Sequence, residues 1–373
     1  MPRVTPAARR PAHSFLAAAL GALTGAAAVA APARADVGEV TVHPITTTAG
    51  TFPAGITAGP DGALWFAGSG TGRIGRVSTA GEVTDFPASG PDSLPLDITA
   101  GPDRALWFTE ARANRIGRIT TAGRLTRFPV PTPDGFPAGI APGPDGALWF
   151  TEQNGNRIGR ITTAGRITEY PVPTRDASVR SIAAGADGAL WFTEAAGGRI
   201  GRIGVTGRIT EFPLPRDAGF PDAIVAGPGG MWFTASGRDP VGRIDPSGRL
   251  TWFRPPEPDS GPAGVTRGPD GRVWYADQAG RIARIDPAGT ITSFPVPGGA
   301  DGVPFRVTAG PDGGVWFTEL LGNAVGRVGV LPRRPRHGGG PVPLRTPGGR
   351  QPSSMGSAWM WSSAVWAPSG PSW

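Results

Sequence analysis

A tryptophan recurs at positions 65, 107, 149, 191, 232, 274 and 316, spaced by 42 residues with a single gap of 41. Around each one the same unit returns. The third copy is the clearest: Gly143-Pro144-Asp145-Gly146-Ala147-Leu148-Trp149-Phe150-Thr151-Glu152, then Asn156-Arg157-Ile158-Gly159-Arg160-Ile161, then Gly165-Arg166-Ile167-Thr168-Glu169-Tyr170-Pro171. One unit of this size cannot bury its own apolar face, so the copies have to stack on one another. Several short strands at such a period make a propeller blade. The seven units therefore predict an all-β fold, a seven-bladed β-propeller with four-stranded blades.

Within a unit, the innermost strand is the short apolar run that ends at Gly-Pro-Asp-Gly, where Pro presets φ and Asp and Gly favour a tight turn. Leu-Trp-Phe forms the second strand, with aromatic residues suited to a pleated, half-buried surface. Arg-Ile-Gly-Arg-Ile forms the third, read as Ile toward the neighbouring blade and Arg toward solvent. Gly-x-Ile-Thr-x-Phe-Pro is the fourth, an edge that tolerates Pro. After Trp316 a third strand follows at Val325-Gly326-Arg327-Val328, and no fourth. The missing strand lies at the other end of the repeats: Gly38-Glu39-Val40-Thr41-Val42-His43-Pro44 matches Gly81-Glu82-Val83-Thr84-Asp85-Phe86-Pro87. The N-terminal strand is expected to complete the last blade and close the ring.

The segments outside the repeats differ in character. Residues 1–35 open with Arg3, Arg9 and Arg10, continue through an Ala- and Gly-dominated apolar stretch and reach Ala33-Arg34-Ala35, the pattern of a secretory signal peptide. The propeller is expected over 36–331. The tail, 332–373, is rich in Pro, Gly, Ser and Arg, carries Trp359, Trp361, Trp366 and Trp373, and is expected to be disordered. The formal charge of +7 arises in these ends, and the propeller keeps 27 Arg against 29 acids. A near-neutral domain whose Arg recur singly at blade spacing excludes nucleic acid as the expected partner. The absence of Cys excludes a disulfide framework and thiol chemistry. The expected product is a secreted monomer with no transmembrane span once the signal is removed.

Strand order puts the loop after the Trp strand and the loop between blades on one face, at the mouth of the central channel. Three residues after each Trp stand Gly68, Glu110, Glu152, Glu194, Ala235, Asp277 and Glu319. The five acids are metal-ligand candidates, read as a partial ring near the mouth. Carboxylates that close together repel, and they either take up a cation or titrate late. Alternatively each is structural, hydrogen-bonded to its own loop or paired with the Arg four to five residues on. A second row opens the inner strands: Ala54, Leu96, Ala138, Arg180, Asp222, Ala263 and Phe305. Arg180, Asp222 and Phe305 break that row and are candidates for binding a small-molecule or peptide ligand. Arg180 and Asp222 hold equivalent sites on adjacent blades.

The Leu-Trp-Phe-Thr-Glu, Asn-Arg-Ile-Gly-Arg-Ile and Gly-Arg-Ile-Thr-Glu-Phe-Pro segments resemble those of the virginiamycin B lyase (streptogramin lyase) family over residues 38–330. That resemblance implies a carbon–oxygen lyase that opens a cyclic depsipeptide antibiotic by elimination. A His base takes the α-proton, and Mg²⁺ held by carboxylates polarises the carbonyl. It also places the His at the inner-strand row, where this chain has no His; Asp222 is the only acid there and the best substitute base. His43 falls on an outermost strand and is read as structural. Two other functions fit the same fold: a non-catalytic propeller that binds a ligand or an envelope component, and a metal-dependent lactonase or other hydrolase.

Overall fold

The computed structural model describes residues 38–88 and 90–330; the expected leader and tail lie outside the described residues. It shows seven four-stranded antiparallel sheets. The third blade runs through strands Pro137–Pro142, Leu148–Glu152, Arg157–Ile161 and Ile167–Pro171, hydrogen-bonded in that order. Each inner strand contacts the inner strands on either side, the seventh meets the first, and the ring closes. In the last blade the fourth place is taken by Val40–Pro44, paired antiparallel to Ala324–Gly329 with Val40 opposite Val328 and Pro44 opposite Ala324. The N-terminal strand thus completes the seventh blade.

Stacking between blades supplies the core. Trp149 and Ile158 of blade 3 pack against Ile182, Leu190, Phe192 and Ile203 of blade 4, and Trp107 and Ile116 of blade 2 pack against blade 3 in the same way. Burying an aromatic side chain of this size stabilises by about 2–3 kcal/mol. The Gly-Pro-Asp-Gly turn does more than reverse the chain. Asp145 Oδ1 accepts the Trp149 Nε1–H at 3.0 Å, and Oδ2 accepts the Arg160 Nε–H at 2.6 Å. The buried indole is therefore satisfied, and Asp61, Asp103, Asp187 and Asp312 repeat both bonds. Blade 5 has no Asp in its turn, and there the Pro228 carbonyl accepts from Trp232 instead.

This geometry corrects one expectation for the third strand. Arg160 does not simply face solvent: its guanidinium lies over the Trp149 ring and pairs with Asp145. Strand alternation puts Ile158 and Arg160 on one face, and Gly159 leaves the other to Phe150, whose ring stands 2.1 Å from where a Gly159 Cβ would be. Both Ile158 and Ile161 are fully buried all the same.

His43, the single His among the described residues, stacks on Trp316 with ring centroids 5.6 Å apart, in the place that Phe or Tyr fills in the other blades. Burial, aided by the nearby Arg327 charge, holds its pKa below 6.5. The folded protein then binds this proton less readily than the unfolded chain does. Stability from this site is complete above about pH 6.5 and is lost as the pH falls below it. Replacing His43 with Phe is expected to raise the melting temperature by about 2–4 °C at neutral pH, and by more at pH 5. Scanning calorimetry at the two pH values checks this.

Candidate functional site

The mouth of the channel is built by the second residue of each inner strand. A side chain on the Trp strand, two residues after each Trp, sets the position of these strands. Thr151 Oγ1 accepts the Gly139 N–H of its own blade at 2.8 Å and donates to the Arg180 carbonyl of the next blade at 2.7 Å. Thr193 does the same between Ser181 and Asp222, at 3.0 and 2.8 Å. Thr109, Thr234 and Thr318 form matching links. The hydroxyls satisfy backbone groups that the bulge in each inner strand leaves out of the ladder. They also hold Arg180 and Asp222 in register with one another.

Blades 1 and 6 have Ala67 and Ala276 in the threonine place, and Gly55 and Gly264 on their inner strands. A Cβ on Gly55 would fall 2.7 Å from Asp97 Oδ1, and one on Gly264 would fall 3.1 Å from Arg306 Cδ. The room these small residues leave is filled by Asp97 and Arg306 of the following blades. Both side chains reach a cavity of about 180 Å³ shared with Arg180, Asp222, Phe305 and Gln153. An adjoining opening of about 410 Å³ shares Arg180, Asp222 and Phe305, and extends to Phe220, Ser260 and Gln278.

The structure therefore brings together the three ligand-binding candidates from the sequence. Asp222 Oδ1 lies 3.4 Å from Arg180 Nη1, and Asp222 Oδ2 lies 2.8 Å from Arg306 Nη1. Arg306 crosses from blade 7 and stacks its guanidinium 4.4 Å from the centre of the Phe305 ring. Burial raises the Asp222 pKa, but the Arg306 and Arg180 charges outweigh it and hold the carboxyl below its ordinary range. With both oxygens engaged by guanidiniums, Asp222 is a counter-ion, which is the wrong condition for a base near neutral pH. Asp97 shows the opposite balance. Burial pushes it up, although its oxygens accept the Ile98 and Ile140 N–H groups at 2.9 and 3.0 Å and Arg306 stands nearby. Ala54, Leu96 and Ala138 also line the cavity, and Ala263 lines the opening; none offers a polar side chain.

The acidic row lies elsewhere. Glu110, Glu152, Glu194, Asp277 and Glu319 are all buried, and they sit beneath the loops that enter each blade, outside the channel lining. Strand alternation explains this: Thr151 points to the next blade, so Glu152 points the other way, toward Gly135 and Gly155. Glu110 pairs with Arg115 at 3.3 Å, and Asp277 with Arg281 at 3.2 Å. Glu152 and Glu194 stand beside the Glu169 and Glu211 carboxylates of their own blades. Burial first, and then those neighbouring carboxylates, push each to about 8. Burial also raises Glu319. Among the described residues no three His, Cys, Asp or Glu side chains converge as a metal site. The five acids stand in five separate blades and do not fit Mg²⁺ as one ligand set.

Asp97 and Arg306 were not among the sequence candidates, yet their signal is present in the repeat. One position beyond the inner-strand row the residues are Gly55, Asp97, Gly139, Ser181, Ala223, Gly264 and Arg306, where two charges interrupt small residues.

Fold and site together define a seven-bladed propeller with a ligand-sized, charged cavity at one channel mouth. The model of the virginiamycin B lyase family matches residues 24–251 and 228–333, and the chain belongs to that family. A streptogramin B lyase structure is 33% identical with a TM-score of 0.74, covering 79% of this chain and 98% of its own. Virginiamycin B lyase from Staphylococcus aureus is 35% identical with a TM-score of 0.74, covering 79% and 99%. A catalytically inactive His-to-Ala variant of that enzyme with quinupristin is 34% identical at the same TM-score and coverage. No curated protein matches the chain.

Proposed function

We propose that this chain is a secreted ligand-binding propeller of the virginiamycin B lyase family, which takes up a small molecule or peptide at the channel mouth without opening it by an imidazole-driven elimination. The observation that carries this reading is the composition of the mouth. Arg180 and Asp222 of the inner-strand row form an ionic cluster with Arg306, one position beyond the row, beside Phe305, and no residue of that row is His. Elimination needs a base that accepts a carbon-bound proton, and a carboxylate clamped by two guanidiniums holds its electrons too tightly for that task. Binding needs only a shaped cavity with a few fixed polar groups, and the threonine links hold these in place. Secretion is supported by the basic start, the apolar stretch and Ala33-Arg34-Ala35. Expression with export is expected to give a mature N-terminus at Asp36, which N-terminal sequencing checks.

The test of the central reading incubates the full chain with a streptogramin B depsipeptide and Mg²⁺, with and without chelator, followed by chromatography and mass spectrometry. The expected result is unchanged substrate from folded protein. A chelator-sensitive product of unchanged mass would establish elimination and direct the search for a base to Asp97, the carboxyl in the cavity that burial pushes up. A product heavier by one water would make the protein a hydrolase.

A further inference from the structure

We infer that the channel mouth is a receptor for an organic oxyanion, with the Arg180 guanidinium as its fork and Phe305 and Phe220 as walls for the apolar body of the ligand. This rests on the reading of the mouth as a binding site and adds the class of ligand. Two cations and one engaged anion meet there. Asp222 accepts a short bond, 2.8 Å, from Arg306 and a long one, 3.4 Å, from Arg180. Arg306 is therefore the neutralised member of the pair, and Arg180 keeps most of its donors free. Its side chain is 45% exposed. Only one of its five N–H groups reaches Asp222, while its backbone carbonyl is pinned by Thr151.

Asp97 offers no second counter-ion to Arg180. Both of its oxygens are taken by backbone N–H groups, and burial favours its neutral form. The charge left over is that of a planar guanidinium facing a cavity, which is the geometry that grips a carboxylate or phosphate with two parallel hydrogen bonds.

The shape of the ligand follows from what surrounds that fork. Phe305 lines both parts of the cavity, and Phe220 lines the wider part while remaining 62% exposed. Of the four large apolar side chains exposed among the described residues, Phe52, Phe220 and Leu321 stand on loops of the mouth face. A mouth with one free guanidinium and an aromatic margin suits an anion carried on a flat or apolar body, and discriminates against a bare inorganic ion.

Isothermal titration of the full chain with benzoate, phenyl phosphate and benzamide tests this, with a streptogramin B depsipeptide titrated in parallel. Saturable binding of benzoate or phenyl phosphate, at least about tenfold tighter than benzamide, is expected, and the tighter of the two anions identifies the oxyanion. Arg180→Gln should weaken the anion at least about tenfold. Asp222→Asn should tighten it several-fold, because it removes the internal competitor. Circular dichroism confirms that both variants are folded. Equal binding of benzoate and benzamide, or an anion affinity unchanged in Arg180→Gln, would overturn the oxyanion assignment and leave the mouth as a site for neutral ligands. No binding of either anion would also overturn it. Absence of depsipeptide binding alone, with anions still bound, would bear on the family ligand and not on this inference.

Discussion

Thr193→Val is expected to lower the melting temperature by at least about 4 °C and to disturb the mouth as it does so. Valine has nearly the same shape, so little packing is lost. The change removes the hydroxyl that accepts the Ser181 N–H and donates to the Asp222 carbonyl. Thr193 is fully buried, and water cannot replace it. Each orphaned backbone group costs about 1–3 kcal/mol, giving about 2–6 kcal/mol for the pair, and each kcal/mol moves the midpoint of a domain of this size by about 2–4 °C. Thr193→Ser keeps the hydroxyl and should recover most of the loss. Thermal melts of the two variants check the stability claim. Arg180 and Asp222 lie on the two strands that this link ties, so anion affinity should fall with Val and recover with Ser.

The second large effect concerns the paired carboxyls. The double variant Glu152→Gln, Glu194→Gln is expected to stabilise the protein by several kcal/mol at pH 8.5 and to change it little at pH 4. Each carboxyl ionises near 4.5 in the unfolded chain and at about 8 when folded. Between those values the folded state holds protons that the unfolded state has released. Stability from these groups is therefore greatest below about pH 4.5, falls as the pH rises through the window, and levels off above about 8. A shift of that size amounts to a few kcal/mol for each group. Glutamine keeps the shape and can donate to Glu169 or Glu211 at every pH. Denaturant titrations at pH 4, 6.5 and 8.5 check the slope, and an unchanged slope in the double variant would contradict the account.

These effects show where the sequence was legible. The period of the Trp strand, the turn residues and the matching strand at Val40–Pro44 carried the blades, their number and their closure, because each is a local pattern repeated seven times. Comparing equivalent positions also singled out Arg180, Asp222 and Phe305. The same comparison shifted by one residue would have found Asp97 and Arg306. Reading loops instead of strand faces placed Glu152 at the mouth. Its true direction follows from alternation with Thr151, which faces the next blade. What no period could reveal is that Asp222 is clamped: Arg306 reaches it from two blades away, through space that Gly264 leaves open.

The central claim is that the mouth is the ligand site and Arg180 its anchor. A crystal of the full chain soaked with 4-bromobenzoate, measured at the bromine absorption edge, tests it most directly. The account predicts one strong anomalous peak between Phe305 and Phe220, with the carboxylate on the Arg180 guanidinium. Bromine bound only at the opposite face or between blades, with the mouth free of it, would contradict the account.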